Sequence, residues 1–306
     1  MASGAAHQGE ATGDRTWTSR AGVSVIIPAR NATATIGAQL DALSRQSYEG
    51  WWEVIVVDNG SDDGTAALTD AWRGRLPNLR VIDATGANCP GYARNVGGRA
   101  SRGELLLFCD ADDVVGDDWV MALAKGLRDY AAVGGRIDRL ALNDPTLLAW
   151  RPLRPADALP DHFGFLPYAQ GANCGVLKEV WSRLGGFDES LRHSEDVAFF
   201  WEVQLDGGQV GYVPNAVVRY RYRSSIRATV RQGYAYGKSH TRLYKRFAAR
   251  GMPRPEAGAA RRAWWQLVVH ARGALSSRQA LGAWFGDLAR RWGRLVGSLR
   301  HRTRYL

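Results

Sequence analysis

The chain has 306 residues, of which 45% are hydrophobic and 23% charged, enough to close a full core and ordinary for a globular protein. Its apolar stretches, such as Val23 to Ile27 and Trp264 to Val269, fall far short of the roughly 20 residues that cross a bilayer, so no spanning helix is expected. The net charge of +10 conceals an asymmetry: residues 215–306 hold 21 Lys and Arg against 2 Asp and Glu, so the basic character belongs to the last third and the remainder is acidic.

The first twenty residues are small and polar with no apolar signal core, which reads as a disordered leader over residues 1–21. Cys89, Cys109 and Cys174 are odd in number, widely spaced and without a metal-ligand pattern, which suits a reducing, cytoplasmic setting. Val23 to Ile27 reads as a first strand, followed by Pro28, Arg30 and Asn31 and then by Ile36, Leu40 and Leu43 at helical spacing. The turn between them lacks G-x-G-x-x-G, which argues against a dinucleotide-binding unit. Glu53 to Val57 is a second strand ending on Asp58, Asn59, Gly60 and Ser61, with a helix from about Ala66. Leu79 to Ile82 is a third strand. Gly91 to Ala100 reads as a helix with Arg94, Asn95 and Gly98 towards its exposed end and face.

Leu105 to Cys109 is the fourth strand, short and apolar as a buried parallel strand is, and it ends on Asp110, Ala111, Asp112 and Asp113. Ligands of open α/β sheets sit outside the carboxyl ends of the strands. Close carboxylates repel, and a divalent cation with oxygen ligands, Mg²⁺ or Mn²⁺, keeps them ionised together. The plainer alternative is an acidic loop with Asp113 or Asp117 capping the next helix. A helix over 117–130 and a strand over 133–137 follow. Prolines at 145, 152, 155 and 160 then predict a long surface excursion. Gly171 to Gly175, a helix near Lys178 to Leu184, and Gly185 to Ser190 precede a helix that starts at Glu195 and Asp196. Val210 to Val213 reads as the last strand. The alternation of strands and helices predicts an α/β fold with a mostly parallel sheet between helices.

Taken together, VSVIIPARN (23–31), VIVVDNGSDDGT (54–65), GYARNVG (91–97), LLLFCDADD (105–113), GANCG (171–175), GGFDES (185–190) and SED (194–196) resemble the family 2 inverting glycosyltransferases, which have the GT-A fold. The resemblance covers roughly residues 22–215 and implies a catalytic domain there, followed by a basic helical extension over 216–306. It implies that Pro28, Arg30, Asn31, Asp58, Asn59, Ser61, Arg94, Asp110 and Ala111 bind the nucleotide-sugar donor. It also implies that Asp112 and Asp110 hold Mg²⁺ or Mn²⁺, and that Asp196 is the general base. Asn173, Glu195, Arg223 and Arg227 are candidates for acceptor or diphosphate contacts, and Glu195 is the residue that could exchange with Asp196. Many relatives carry a metal-binding histidine after the last core strand. Here VVRYRYRSS (217–225) stands in its place, so either arginines meet the diphosphate directly or metal dependence is altered. The Gln-x-x-Arg-Trp string of processive relatives is absent, which favours transfer of a single sugar.

In the extension, Leu281, Trp284, Phe285, Leu288, Trp292, Leu295, Val296 and Leu299 fall on one helical stripe. Backed by arginine, residues 279–304 fit an anionic surface on the inner membrane face, and equally fit packing on the catalytic domain or on a second copy. The resulting expectation is an inverting, metal-assisted transferase acting on an unidentified glycan, lipid or small-molecule hydroxyl, with nucleic acid not expected as a partner. Transfer to a polyprenyl phosphate is the alternative within the class. A non-catalytic basic module binding RNA or anionic lipid is the alternative outside it.

Overall fold

The computed structural model describes residues 21–305 apart from 77, 149–156, 162, 224 and 257; residues 1–20 of the expected leader, and Pro152 and Pro155, lie outside the described residues. In chain order the first half runs β1 (Val23–Ala29), α1 (Ile36–Ser44), β2 (Trp52–Asp58), α2 (Thr65–Asp70), β3 (Leu79–Asp83), α3 (Pro90–Ala100), β4 (Leu105–Cys109), β5 (Val114–Val115) and α4 (Trp119–Gly126). The second half runs β6 (Ala132–Asp138), α5 (Pro145–Leu148), β7 (Asn173–Leu177), α6 (Lys178–Arg183), α7 (Glu195–Leu205), β8 (Val210–Arg219), α8 (Ile226–Phe247), α9 (Ala259–Ala274) and α10 (Arg278–Arg300).

One eight-stranded sheet has the order β3-β2-β1-β4-β7-β6-β8-β5. The pairs among β3, β2, β1 and β4 are parallel, as is β6 with β8, whereas β7 runs antiparallel to both its neighbours and β5 antiparallel to β8. The expected mostly parallel α/β sheet is therefore present. The apolar runs of β1, β2 and β4 are wholly buried, as continuous Val/Ile/Leu strands in a two-sided sheet should be. Pro28 is tolerated in central β1 because the ladder to β4 ends at Ile26, so its missing N–H costs no bond on that side.

Two expectations need correcting. Residues 171–175 contain no recognisable strand pattern, yet Asn173–Leu177 forms the fully buried β7 between β4 and β6. The last strand also continues past Val213 to Arg219. It does so through a bulge, because Gly135 pairs with Val213 while the next residue, Arg136, pairs with Val217. A side chain at Gly135 would collide with the Ala216 carbonyl, so the bulge depends on that glycine.

Beyond the sheet, α8 and α10 lie together and α9 packs on α10. The contact between α8 and α10 is made by small residues. A Cβ on Gly233 or Gly237 would strike the backbone of α10, and one on Gly293 the backbone of α8. Correspondingly, α10 buries Gly282, Gly286, Ala289, Gly293 and Gly297. Of its large apolar stripe, Phe285, Trp292 and Leu299 are exposed, while Leu281, Trp284, Leu288, Leu295 and Val296 are half-buried. No described helix is long and apolar enough to cross a membrane.

Candidate active site

Strands β2, β1 and β4 are parallel neighbours, and the expected donor residues stand at their carboxyl ends. Pro28 is half-buried with Arg30 and Asn31 exposed beyond it, Asp58 closes β2, and Asp110 follows β4. The first two loops are stitched together. The Ser61 hydroxyl accepts from the Asn31 amide at 3.0 Å, and Asn31 Oδ1 accepts from the Asp62 amide at 3.0 Å. Asn31 takes a positive φ of 51°, which asparagine tolerates. Asp63 accepts the amides and hydroxyls of Thr65 and Thr33, and those bonds hold its carboxyl well below the usual range. Asp58 accepts from the Ser61 amide at 3.0 Å. Asn59 is buried, and its side-chain amide donates to the carbonyls of Ala84 and Ala87, so it shapes the loop from beneath.

At the end of β4, Asp110, Asp112 and Asp113 bring carboxylate oxygens within 4.8 Å of one another. Gln39 of α1 fixes this turn, donating to the Asp110 carbonyl at 3.1 Å and accepting from the Val115 amide at 2.9 Å. Ala111 is buried and Asp112 exposed. Asp113 caps no helix. It is 1% exposed, its Oδ1 accepts from the Arg221 amide at 2.8 Å, and its Oδ2 is buried without a partner. Burial, then the charges of Asp110 and Asp112, push the Asp113 carboxyl well above its ordinary value. Asp112 is pushed up to about 6, first by water lost on its protein side and then by Asp110, with Arg223 and Arg221 opposing. Crowded acids that retain protons, one with a bare buried oxygen, are what a divalent cation relieves; the donor set fits Mg²⁺ or Mn²⁺.

Arg94 does not lie on an exposed helix face. It is 4% exposed, and α3 turns it inward, where it donates to Asp110 Oδ1 and to Glu195 Oε1, each at 2.7 Å. Burial works against its charge, but Asp110 and Glu195 outweigh this and hold the guanidinium more firmly protonated than usual. Asn95 is also buried, bridging Phe187 and Glu189. Glu195 is buried against Arg94 and pushed up to about 7, first by burial and then by Asp196. Asp196 stays half-buried in the first turn of α7, with Oδ2 accepting from the Gly171 amide at 3.0 Å and Oδ1 from Val197 at 2.8 Å. Asp110 and Glu195, the neighbour of Asp196, meet on one guanidinium, and the charge of Asp196 acts on it from a distance.

Asn173, expected near the acceptor, is 1% exposed with its side chain fully engaged. It donates to the Arg136 and Ala216 carbonyls freed by the bulge and accepts from the Trp119 indole at 2.8 Å. Arg223 is exposed with its charge close enough to act on Asp112, and Arg227 is exposed in the first turn of α8. Sequence reasoning missed Gln39, and it placed Asp113 in the acidic run and Arg221 in the 217–225 segment without assigning either a site role. Arg221 donates from its amide to Asp113 and from Nε to the Asp112 carbonyl at 3.0 Å. A third consecutive acid was the available signal for Asp113; nothing in the pattern marked Gln39.

Residues 24–180 match the model of glycosyl transferase family 2. The chain belongs to that family. Among its relatives, the pre-mycofactocin glycosyltransferase of Mycobacterium tuberculosis is 27% identical over 257 residues, covering 81% of this chain and 53% of the relative, so the chain spans about half of that protein. Glycosyltransferase AglE of Haloferax volcanii is 34% identical over 181 residues, covering 57% of this chain and 59% of AglE. Among solved structures, the mannosyltransferase PcManGT from Pyrobaculum calidifontis, in complex with GDP-Man and Mn²⁺, superposes with a TM-score of 0.57 at 22% identity, covering 94% of this chain and 78% of that one. Residues 1–349 of Staphylococcus aureus TarS in complex with UDP give 0.53 at 17% identity, covering 93% of each chain. These likenesses establish the GT-A fold for this family 2 member.

Proposed function

We propose that the chain transfers a single sugar from a nucleoside diphosphate sugar to an acceptor hydroxyl with inversion, assisted by a divalent cation. The observation that carries this reading is the Arg94 bridge, which ties the acids after β4 to the helix start that holds Asp196. The GDP-Man and UDP of the structural neighbours support a nucleotide donor at the ends of β1, β2 and β4. Asp110, Asp112 and Asp113 would hold the cation, which when bound supplies positive charge to the departing diphosphate. Arg221 and Arg223 add charge from the segment after β8.

Asp196 is oriented by the Gly171 amide to take the proton of the acceptor hydroxyl. That oxygen attacks the anomeric carbon opposite the leaving nucleotide, which inverts the centre. Arg94 is assigned as a positioning residue, since its two terminal nitrogens hold Glu195 and Asp110 while its Nε is buried without a partner. Three buried, free cysteines support a reducing compartment. The test is Asp196→Asn assayed for transfer with Mn²⁺ and UDP- or GDP-sugars. A loss of at least about 100-fold, with the thermal shift on donor binding retained, supports the base assignment. Survival of most activity overturns it.

A further inference from the structure

We propose that the outer face of α9, aided by the exposed Trp292 and Leu299 of α10, docks on an anionic lipid surface. The proposal goes beyond the reaction and is read out without turnover. Helix α9 buries only Leu267 and Ala274, and it is pinned to α10 by the Trp284 indole N–H donating to the Leu267 carbonyl at 2.9 Å. At 100° per residue, Trp265, Val268 and Val269 share the opposite half of the helix with Arg261, Arg262 and Arg272. Trp265 is 67% exposed, Val268 65%, and Leu275, just past the helix end, 79%. No acid occurs in α9, and Glu256 before it is paired with Arg262.

The mixture selects the partner. Tryptophan and arginine could serve a nucleic acid, but Val268, Val269, Leu275 and Leu299 offer bases nothing to stack on and gain only by leaving water. A second copy would set the Arg261 and Arg272 guanidinium groups against their own counterparts. An anionic bilayer answers both components: headgroups meet the arginines while the apolar side chains enter the acyl boundary. Helix α8, on which α10 packs, is fastened to the segment carrying Asp196. Ser239 donates to the His193 carbonyl, Arg242 to the Ser190 carbonyl at 2.6 Å, and Arg246 pairs with Glu202 at 2.8 Å. Docking would therefore hold the acceptor side at a fixed relation to the surface.

The test is co-sedimentation of the full chain with vesicles of phosphatidylcholine alone and of phosphatidylcholine with phosphatidylglycerol. Binding is expected only to the anionic vesicles and should weaken with salt. Arg261→Gln with Arg272→Gln should lower partitioning by roughly fivefold per arginine at low salt. Trp265→Ser with Val269→Ser should lower it at least about tenfold, Trp292→Ser less, and Trp265→Leu should retain most of it. All these side chains are solvent-facing, so unchanged melting temperatures confirm that the variants fold. The proposal is overturned by failure to sediment with anionic vesicles or by equal recovery of the serine double variant. It is also overturned by a concentration-dependent dimer in light scattering that the serine substitutions dissolve.

Discussion

In and around the sheet, Phe108 of β4, Trp119 of α4 and Phe200 and Trp201 of α7 are wholly enclosed. In the pair α8 and α10 the contact is made by Gly233, Gly237, Gly286 and Gly293, while Trp292 and Leu299 face outward. The first region gains stability by removing large apolar surface from water; the second lets backbones approach closely and leaves Phe285, Trp292 and Leu299 facing solvent. A second contrast accompanies the first. The sheet ends gather acids around one buried arginine, whereas the helices gather arginines with two acids in the last 92 residues. On the proposals above, one region would hold a cation and a nucleotide and the other would meet an anion.

The contrast can be broken at several points. The largest effect is expected at Arg94→Ala, which removes the counter-charge of buried Glu195 and releases Asp110; the loss should be about 3–5 kcal/mol in urea unfolding above pH 7, where Glu195 is ionised in the parent chain. Asn173→Ala should cost about 2–3 kcal/mol, because the Trp119 indole and two bulge carbonyls lose their partner. If Asn173 touched the acceptor instead, the KM for acceptor would rise with little change in stability. Gly237→Val, which forces a side chain against the α10 backbone, should cost about 1–3 kcal/mol. Protease cleavage should then concentrate in the α9–α10 segment while donor binding survives.

The smallest expected effect is a pH dependence. The folded chain retains protons on Glu195 up to about 7 and on Asp112 up to about 6, both above their unfolded values of 4.5 and 3.8. The native state thus binds more protons in that window, and metal-free stability should fall as pH rises through it. Melting temperatures in EDTA should drop by a few degrees between the lower and upper ends of the window. Mn²⁺ should reduce that drop, since a cation stabilises the ionised form of Asp112.

Much of the sheet was legible because β1, β2 and β4 are apolar runs that stop abruptly on polar residues. Strand β7 was not, since Asn173, Cys174 and Gly175 carry no β-branched signature; what makes it a strand is the space between β4 and β6. The burial of Arg94 was hidden for a similar reason. An arginine among glycines and asparagine reads as surface until the acids that neutralise it, Asp110 and the distant Glu195, are brought to it. Asp113 looked like a helix cap because a sequence cannot show which acid the chain turns inward. On α10 the apolar stripe was visible and its interior partner was not, because periodicity follows bulky residues and the true contact face is built from glycine.

The glycine seam between α8 and α10 carries one more implication. Because the fit depends on residues with almost no side chain, the exposed Trp292 and Leu299 are not props of that seam, and these positions can be rewritten independently of the interior. Polar replacements there should leave folding intact while changing only where in a cell extract the enzyme is recovered. That separability would let a freely soluble form be made without disturbing the site at the strand ends.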